Sequence, residues 1–142
     1  MLTVIEKVIF LQNIDVLAEV PTEALAELAA IAEEVSYDSG ESIYKENDSP
    51  DALYFVLDGQ VRLHKGDQNI TTAENKQAFG TWALFDESPR LVTATVEDDC
   101  NLLRIDRDDF IDLLADNVQI TQGVLKTMAK RLRSLVERVS QS

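Results

Sequence analysis

The first apolar positions recur at helical spacing. Val4, Val8 and Leu11 share one face of a short helix, and a second helix is expected from Pro21 and Thr22 to about Val35. Along that second segment Leu25, Leu28, Ala32 and Val35 form a stripe, while Glu23, Glu27, Glu33 and Glu34 lie largely off it. Pro21 is tolerated in a first turn and Thr22 stands nearby as a cap. From residue 36 to 106 the texture changes to short β-prone runs at 42–45, 52–57, 60–65, 69–72, 91–96 and 101–105. Turn residues separate them, and Asp58-Gly59 is the strongest hairpin signal, because a two-residue primed turn needs the positive φ that Asp and Gly tolerate. Six or more such strands predict a mainly β fold of the jelly-roll or small-barrel kind, flanked by helices. Helix returns at residue 107 behind Asp106, a good N-cap, and again over 118–139. In the last segment Leu125, Met128, Leu132, Leu135 and Val139 are spaced three, four, three and four, a heptad-like seam. The seam is short and includes Gly123 nearby, so it is read as packing on its own domain or as a homodimer seam.

The 142 residues fit one domain, divided into a helical part (1–35), a β-barrel (36–106) and C-terminal helices (107–139). No apolar run is long enough to span a bilayer, and no basic n-region precedes an apolar stretch, so neither membrane insertion nor secretion is expected. A single cysteine, Cys100, excludes an intramolecular disulfide and fits a cytoplasmic location. The formal charge of −13 repels phosphate backbones and argues against nucleic acid as a partner. No helix-turn-helix pattern follows the last helix, so DNA binding by that route is not expected. The charge is uneven: residues 1–125 hold 25 acids and 8 bases, whereas Lys126, Lys130, Arg131, Arg133 and Arg138 face only Glu137 in the remainder.

Catalytic chemistry is not expected. His64 is the one histidine, so neither a multi-imidazole metal centre nor a zinc cluster is available. A nucleophilic triad would have to use His64, and no nucleophile motif accompanies it. The acidic run Asp106, Asp108, Asp109 and Asp112 has Ile111 where a calcium loop needs Gly and Asn117 where it needs Glu.

The informative stretch is Phe79-Gly80-Thr81-Trp82-Ala83-Leu84-Phe85-Asp86-Glu87-Ser88-Pro89-Arg90. It reads as a strand ending at Gly80, one helical turn whose free N–H groups suit an anion, and a loop that delivers Arg90. Arg90 is a two-pronged phosphate ligand in one reading and a surface residue paired with Glu87 or Asp86 in the other. Together with Gly40-Glu41, Tyr54 and Gly59, and with Ala83-Leu84 and Pro89-Arg90 in order, the stretch resembles the cyclic nucleotide-binding domain family over about residues 9–135. The resemblance implies a double-stranded β-helix barrel with a phosphate-binding cassette for cyclic AMP or cyclic GMP, and a C-terminal helix that acts as lid or dimer seam. It places the candidate ligand-binding residues at Phe79, Gly80, Thr81, Trp82, Ala83, Arg90, Leu91 and Val92.

Several of these depart from the family pattern. Thr81 stands where the family has a Glu that accepts the ribose hydroxyl, and Lys76 stands near a usual Gly. Leu91 and Val92 stand where small residues let the phosphate approach. A lost buried polar contact costs about 1–3 kcal/mol and crowding a similar amount, enough together to weaken binding by roughly three orders of magnitude. Trp82 stacks on a base in one reading and fills the pocket or packs on the last helix in the other. Two functions follow: a non-catalytic regulatory sensor anchored on Arg90 and transmitting through 118–139, or a ligand-free scaffold for protein interaction or dimerisation.

Overall fold

The computed structural model describes residues 1–80 and 87–141. Helix α1, Val4–Leu11, starts at a capping box in which Thr3 and Glu6 exchange side chain-to-backbone hydrogen bonds of 3.1 Å. A 3-10 turn at Asp15–Leu17 leads to α2, Thr22–Ile31. Six strands follow among the described residues: β1 Ala32–Tyr37, β2 Ser42–Tyr44, β3 Ala52–Lys65, β4 Gln68–Ala73, β5 Ala78–Phe79 and β6 Thr93–Asp106. Helices α3, Arg107–Asp116, and α4, Val118–Gln141, close the chain. Asp106 caps α3 by accepting from the amides of Asp108 and Asp109.

All strand pairs are antiparallel, in the order β1-β6-β3-β4, with β2 added to β6 and β5 to β3. The long partners β3 and β6 pair from Ala52↔Asp106 to His64↔Thr93. Side chains alternate across β3, as a strand requires. Leu53 and Phe55 enter a core with Leu25, Leu28, Ile105 and Ile120 beneath the helices, whereas Ala52, Tyr54 and Val56 enter a second core with Tyr44, Val61, Phe79 and Leu102 inside the barrel. Truncating Phe55, which is 2 % exposed, to Ala would remove about 3–5 kcal/mol of this packing.

The structure corrects three expected boundaries. Helix α2 ends at Ile31, and Ala32 to Tyr37 pair with Ile105 to Cys100 as a strand, so the barrel begins at 32 rather than 36. The stripe through Ala32 and Val35 fits either period, and backbone pairing to β6 decides it. Asp58-Gly59 makes no hairpin: β3 runs straight through it, with register shifts on both sides. Gly59 has φ +110°, and a Cβ there would lie 2.4 Å from the Cys100 Cβ. Its positive φ builds a bulge that lets the crossing strand approach. The two-residue hairpin is instead at Gly66-Asp67, joining Lys65 to Gln68. The expected runs at 91–96 and 101–105 are one strand, starting only at Thr93.

Helix α4 has two halves. Ile120, Val124 and Thr127 are buried, and Gly123 lies so near that a Cβ would be 2.7 Å from Val20 Cγ2. The heptad-like seam turns the other way: Leu125, Met128, Leu132, Leu135 and Val139 are all exposed. It is not buried on its own domain. No helix among the described residues is long and apolar enough to cross a membrane.

Candidate functional site

Arg90 is at the centre of the candidate site, and its backbone is held before its side chain is considered. Its N–H donates to Asp48 O at 2.9 Å, and its carbonyl accepts from the Asn47 N–H at 2.8 Å. The turn between β2 and β3 therefore clamps residue 90 from both sides. Pro89 restricts the approach. The side chain is driven inward and only 4 % of Arg90 remains exposed.

Inside, Nη1 donates to the carbonyl of Gly80 at 2.9 Å and Nη2 to that of Ala52 at 2.5 Å. The guanidinium carbon lies 4.0 Å from the centre of the Tyr44 ring. The nearest carboxylate among the described residues is Asp51, 3.6 Å from Nη2, which also lies 3.5 Å from Arg104 Nη2 and is itself well exposed. Gly80, at φ +78°, brings its carbonyl this close because it lacks a Cβ, which would sit 2.8 Å from Nη1. One donor is left over. Arg90 Nε is buried and has no hydrogen-bond partner among the described residues, a costly condition for a charged group. An anion placed against Nε would remove that cost.

The surface-pair reading of Arg90 does not hold for Glu87. That carboxylate, on a residue with φ +58°, accepts from Arg107 Nη2 at 2.6 Å, and Arg107 begins α3. Asp86 lies outside the described residues, as do Thr81, Trp82 and Ala83. Phe79 is 3 % exposed and stacks on Tyr54 at 5.2 Å, so it fills the barrel next to the site. Leu91 is 74 % exposed and puts no bulk into the barrel, and half-buried Val92 belongs to neither core. The bulk expected of Leu91 is therefore not part of the barrel core.

Lys76 adopts φ +70°, the left-handed conformation a Gly would take without strain, and its N–H donates to Val56 O. It lines a hollow of about 330 Å³ with Leu63, Thr71, Gln77 and, from α4, Arg131. His64 is tied between Gly66 O and Thr95 Oγ1, at 2.7 Å each, and serves the hairpin.

Three contributors were not identified from sequence: Tyr44, Asp51 and the Ala52 carbonyl. Each is about forty residues from Arg90 along the chain, and the pairing of β3 with β5 and of β2 with β6 brings them together. Burial pushes the Tyr44 hydroxyl up to about 12, against the opposing Arg90 charge, so the ring stays neutral. Tyr54 is raised by burial too, while its hydrogen bond with Arg104 pulls the other way.

Relatives share both the fold and the sequence pattern. The chain is 29% identical over 119 residues to the CRP-like cAMP-activated global transcriptional regulator of Mycobacterium tuberculosis, a match covering 80% of this chain and 53% of that protein. It is 33% identical over 102 residues to the cyclic AMP receptor protein of Thermus thermophilus, covering 68% and 47%. The chain thus spans about half the length of these curated relatives. Among solved structures, the N-terminal domain of a transcriptional regulator from Streptomyces coelicolor superposes with a TM-score of 0.79 at 29% identity, covering 94% of this chain and 96% of that one. The family model for the cyclic nucleotide-binding domain matches residues 34–117, from β1 through the Arg90 loop to the end of α3. With the barrel, the buried arginine and this match in agreement, the chain belongs to the cyclic nucleotide-binding domain family.

Proposed function

We propose that this chain is a non-catalytic sensor module in which Arg90 anchors the phosphate of a cyclic nucleotide, cyclic AMP or cyclic GMP, and α4 carries the response. The observation that supports this reading most directly is the buried Arg90 guanidinium with Nε unpaired among the described residues, directly beside Gly80 where the cassette begins. Phe79, Gly80 and the backbone after Arg90 would line the phosphate end, with Thr81, Trp82, Ala83, Leu91 and Val92 as the remaining cassette positions. A net charge of −13 does not oppose this, because a fixed local cation inside an acidic domain binds one phosphate while the exterior repels a phosphate polymer.

Calorimetric titration with cyclic AMP and cyclic GMP tests the reading. Arg90→Ala should weaken binding by about ten- to a hundredfold, the weight of one charge-assisted contact. Arg90→Lys, which keeps charge but not the fork, should recover only part. Absence of heat with both nucleotides at millimolar concentration in the unaltered protein would overturn it.

A second reading has its own observation. The exposed seam from Leu125 to Val139 suits a second copy of this chain, which makes the module a dimerisation unit whether or not a ligand enters the barrel.

A further inference from the structure

Two carbonyls bind the two terminal nitrogens of the Arg90 guanidinium. Gly80 O takes Nη1 and Ala52 O takes Nη2. Those two bonds leave one motion open, a rocking of the plane about the line joining the two nitrogens, and it is this motion that aims or misaims Nε. The Tyr44 ring blocks it. Its face lies 4.0 Å beneath the guanidinium carbon, and the ring is 7 % exposed. The ring is itself held: its centre lies 6.2 Å from the rings of both Tyr54 and Phe79, and its backbone is paired with Ala94 on β6.

Cation–ring attraction is strongest where water is excluded, and both partners here are buried. Asp51, the one carboxylate within 4 Å of Arg90 among the described residues, is 64 % exposed in its side chain and 3.6 Å away, so solvent screens its pull. The dry ring, not the wet carboxylate, sets the tilt.

We propose that Tyr44 is a positioning residue for Arg90, holding the guanidinium plane so that Nε faces an incoming phosphate. The inference rests on Arg90 as the phosphate anchor, and its test separates the two. The Arg90 Nε–Hε resonance is identified in a proton–nitrogen correlation spectrum by its loss in Arg90→Lys. It should lie upfield of ordinary arginine positions through the Tyr44 ring current, stay there in Tyr44→Phe, and return to the ordinary position in Tyr44→Leu. In calorimetry with cyclic AMP, Tyr44→Phe should bind as the unaltered protein does, and Tyr44→Leu roughly ten- to thirtyfold more weakly. An ordinary resonance position in the unaltered protein overturns the inference, as does equal affinity in Tyr44→Leu. If the leucine variant does not fold, the unaltered and phenylalanine spectra still decide. Failure of cyclic AMP to bind the unaltered protein would strike the sensor reading alone, and the resonance would still decide the role of Tyr44.

Discussion

Gly59 shows how much a single missing side chain carries. Its φ of +110° and the 2.4 Å separation a Cβ would have from Cys100 Cβ put two independent penalties on any substitution. The second neighbour, Asp99 O at 2.7 Å, is backbone and cannot step aside cheaply. Gly59→Ala should therefore destabilise the protein by about 2–4 kcal/mol, read as a fall in urea midpoint at unchanged slope. Gly80 differs in kind, because its tight contact is the end of the Arg90 side chain rather than backbone. The sequence marks both glycines but not the difference, since each is a turn residue by type and only its neighbour across the sheet separates bulge from anchor. Arg90 is the opposite case. Its isolation among acids was visible, its burial was not.

At the scale of elements, α4 is buried against the body as far as Thr127 and exposed beyond it. Beyond Thr127 the ties to the body include the Lys130–Glu19 ion pair. The hydrogen bond and charge of Lys130 hold the Glu19 carboxyl below its ordinary value of 4.5, Lys126 adds to the effect, and burial opposes it. A depressed carboxyl contributes its pairing above the unfolded value and loses it as pH falls through the folded one. Glu19→Gln should thus speed amide exchange in the distal half of α4 at neutral pH, after correction for intrinsic rates. Below the depressed value the variant and the unaltered protein should converge. Equal exchange at neutral pH would show that the pair does not restrain the helix. The helical period of α4 was legible from the chain, and its seam was read correctly as a stripe. What the stripe faces was not legible, because Ile120, Gly123, Val124 and Thr127 offer a second stripe on the same helix and the close approach at Gly123 selects it for the domain.

For the whole molecule, charge and exposed apolar surface set the expectations. With 26 acids against 13 bases the folded state carries net self-repulsion. Its melting temperature should rise as sodium chloride is raised from about 10 mM to about 150 mM, where the Debye length shrinks from about 30 Å to about 8 Å. A flat profile would mean that local pairs, such as Lys130–Glu19, already offset the surplus. The seam yields a separate expectation. Sedimentation should show concentration-dependent dimers of the unaltered chain and monomers of Leu132→Lys, with little change in melting because Leu132 is 64 % exposed. Monomers throughout would leave the sensor reading without a dimer seam.

The sequence by itself determined most element types, the β-rich middle and the family, because alternation, helical stripes, capping residues and motif order are local properties that survive in one dimension. It also singled out Arg90. Only the tertiary structure decided where α2 yields to β1, that Asp58-Gly59 is a bulge, that Leu91 faces solvent, and that Arg90 lies on Tyr44 between the carbonyls of Ala52 and Gly80. These outcomes depend on contacts between segments far apart in the chain. There, burial and unsatisfied hydrogen bonds outweigh local preference by a few kcal/mol, and no window along the sequence contains both partners.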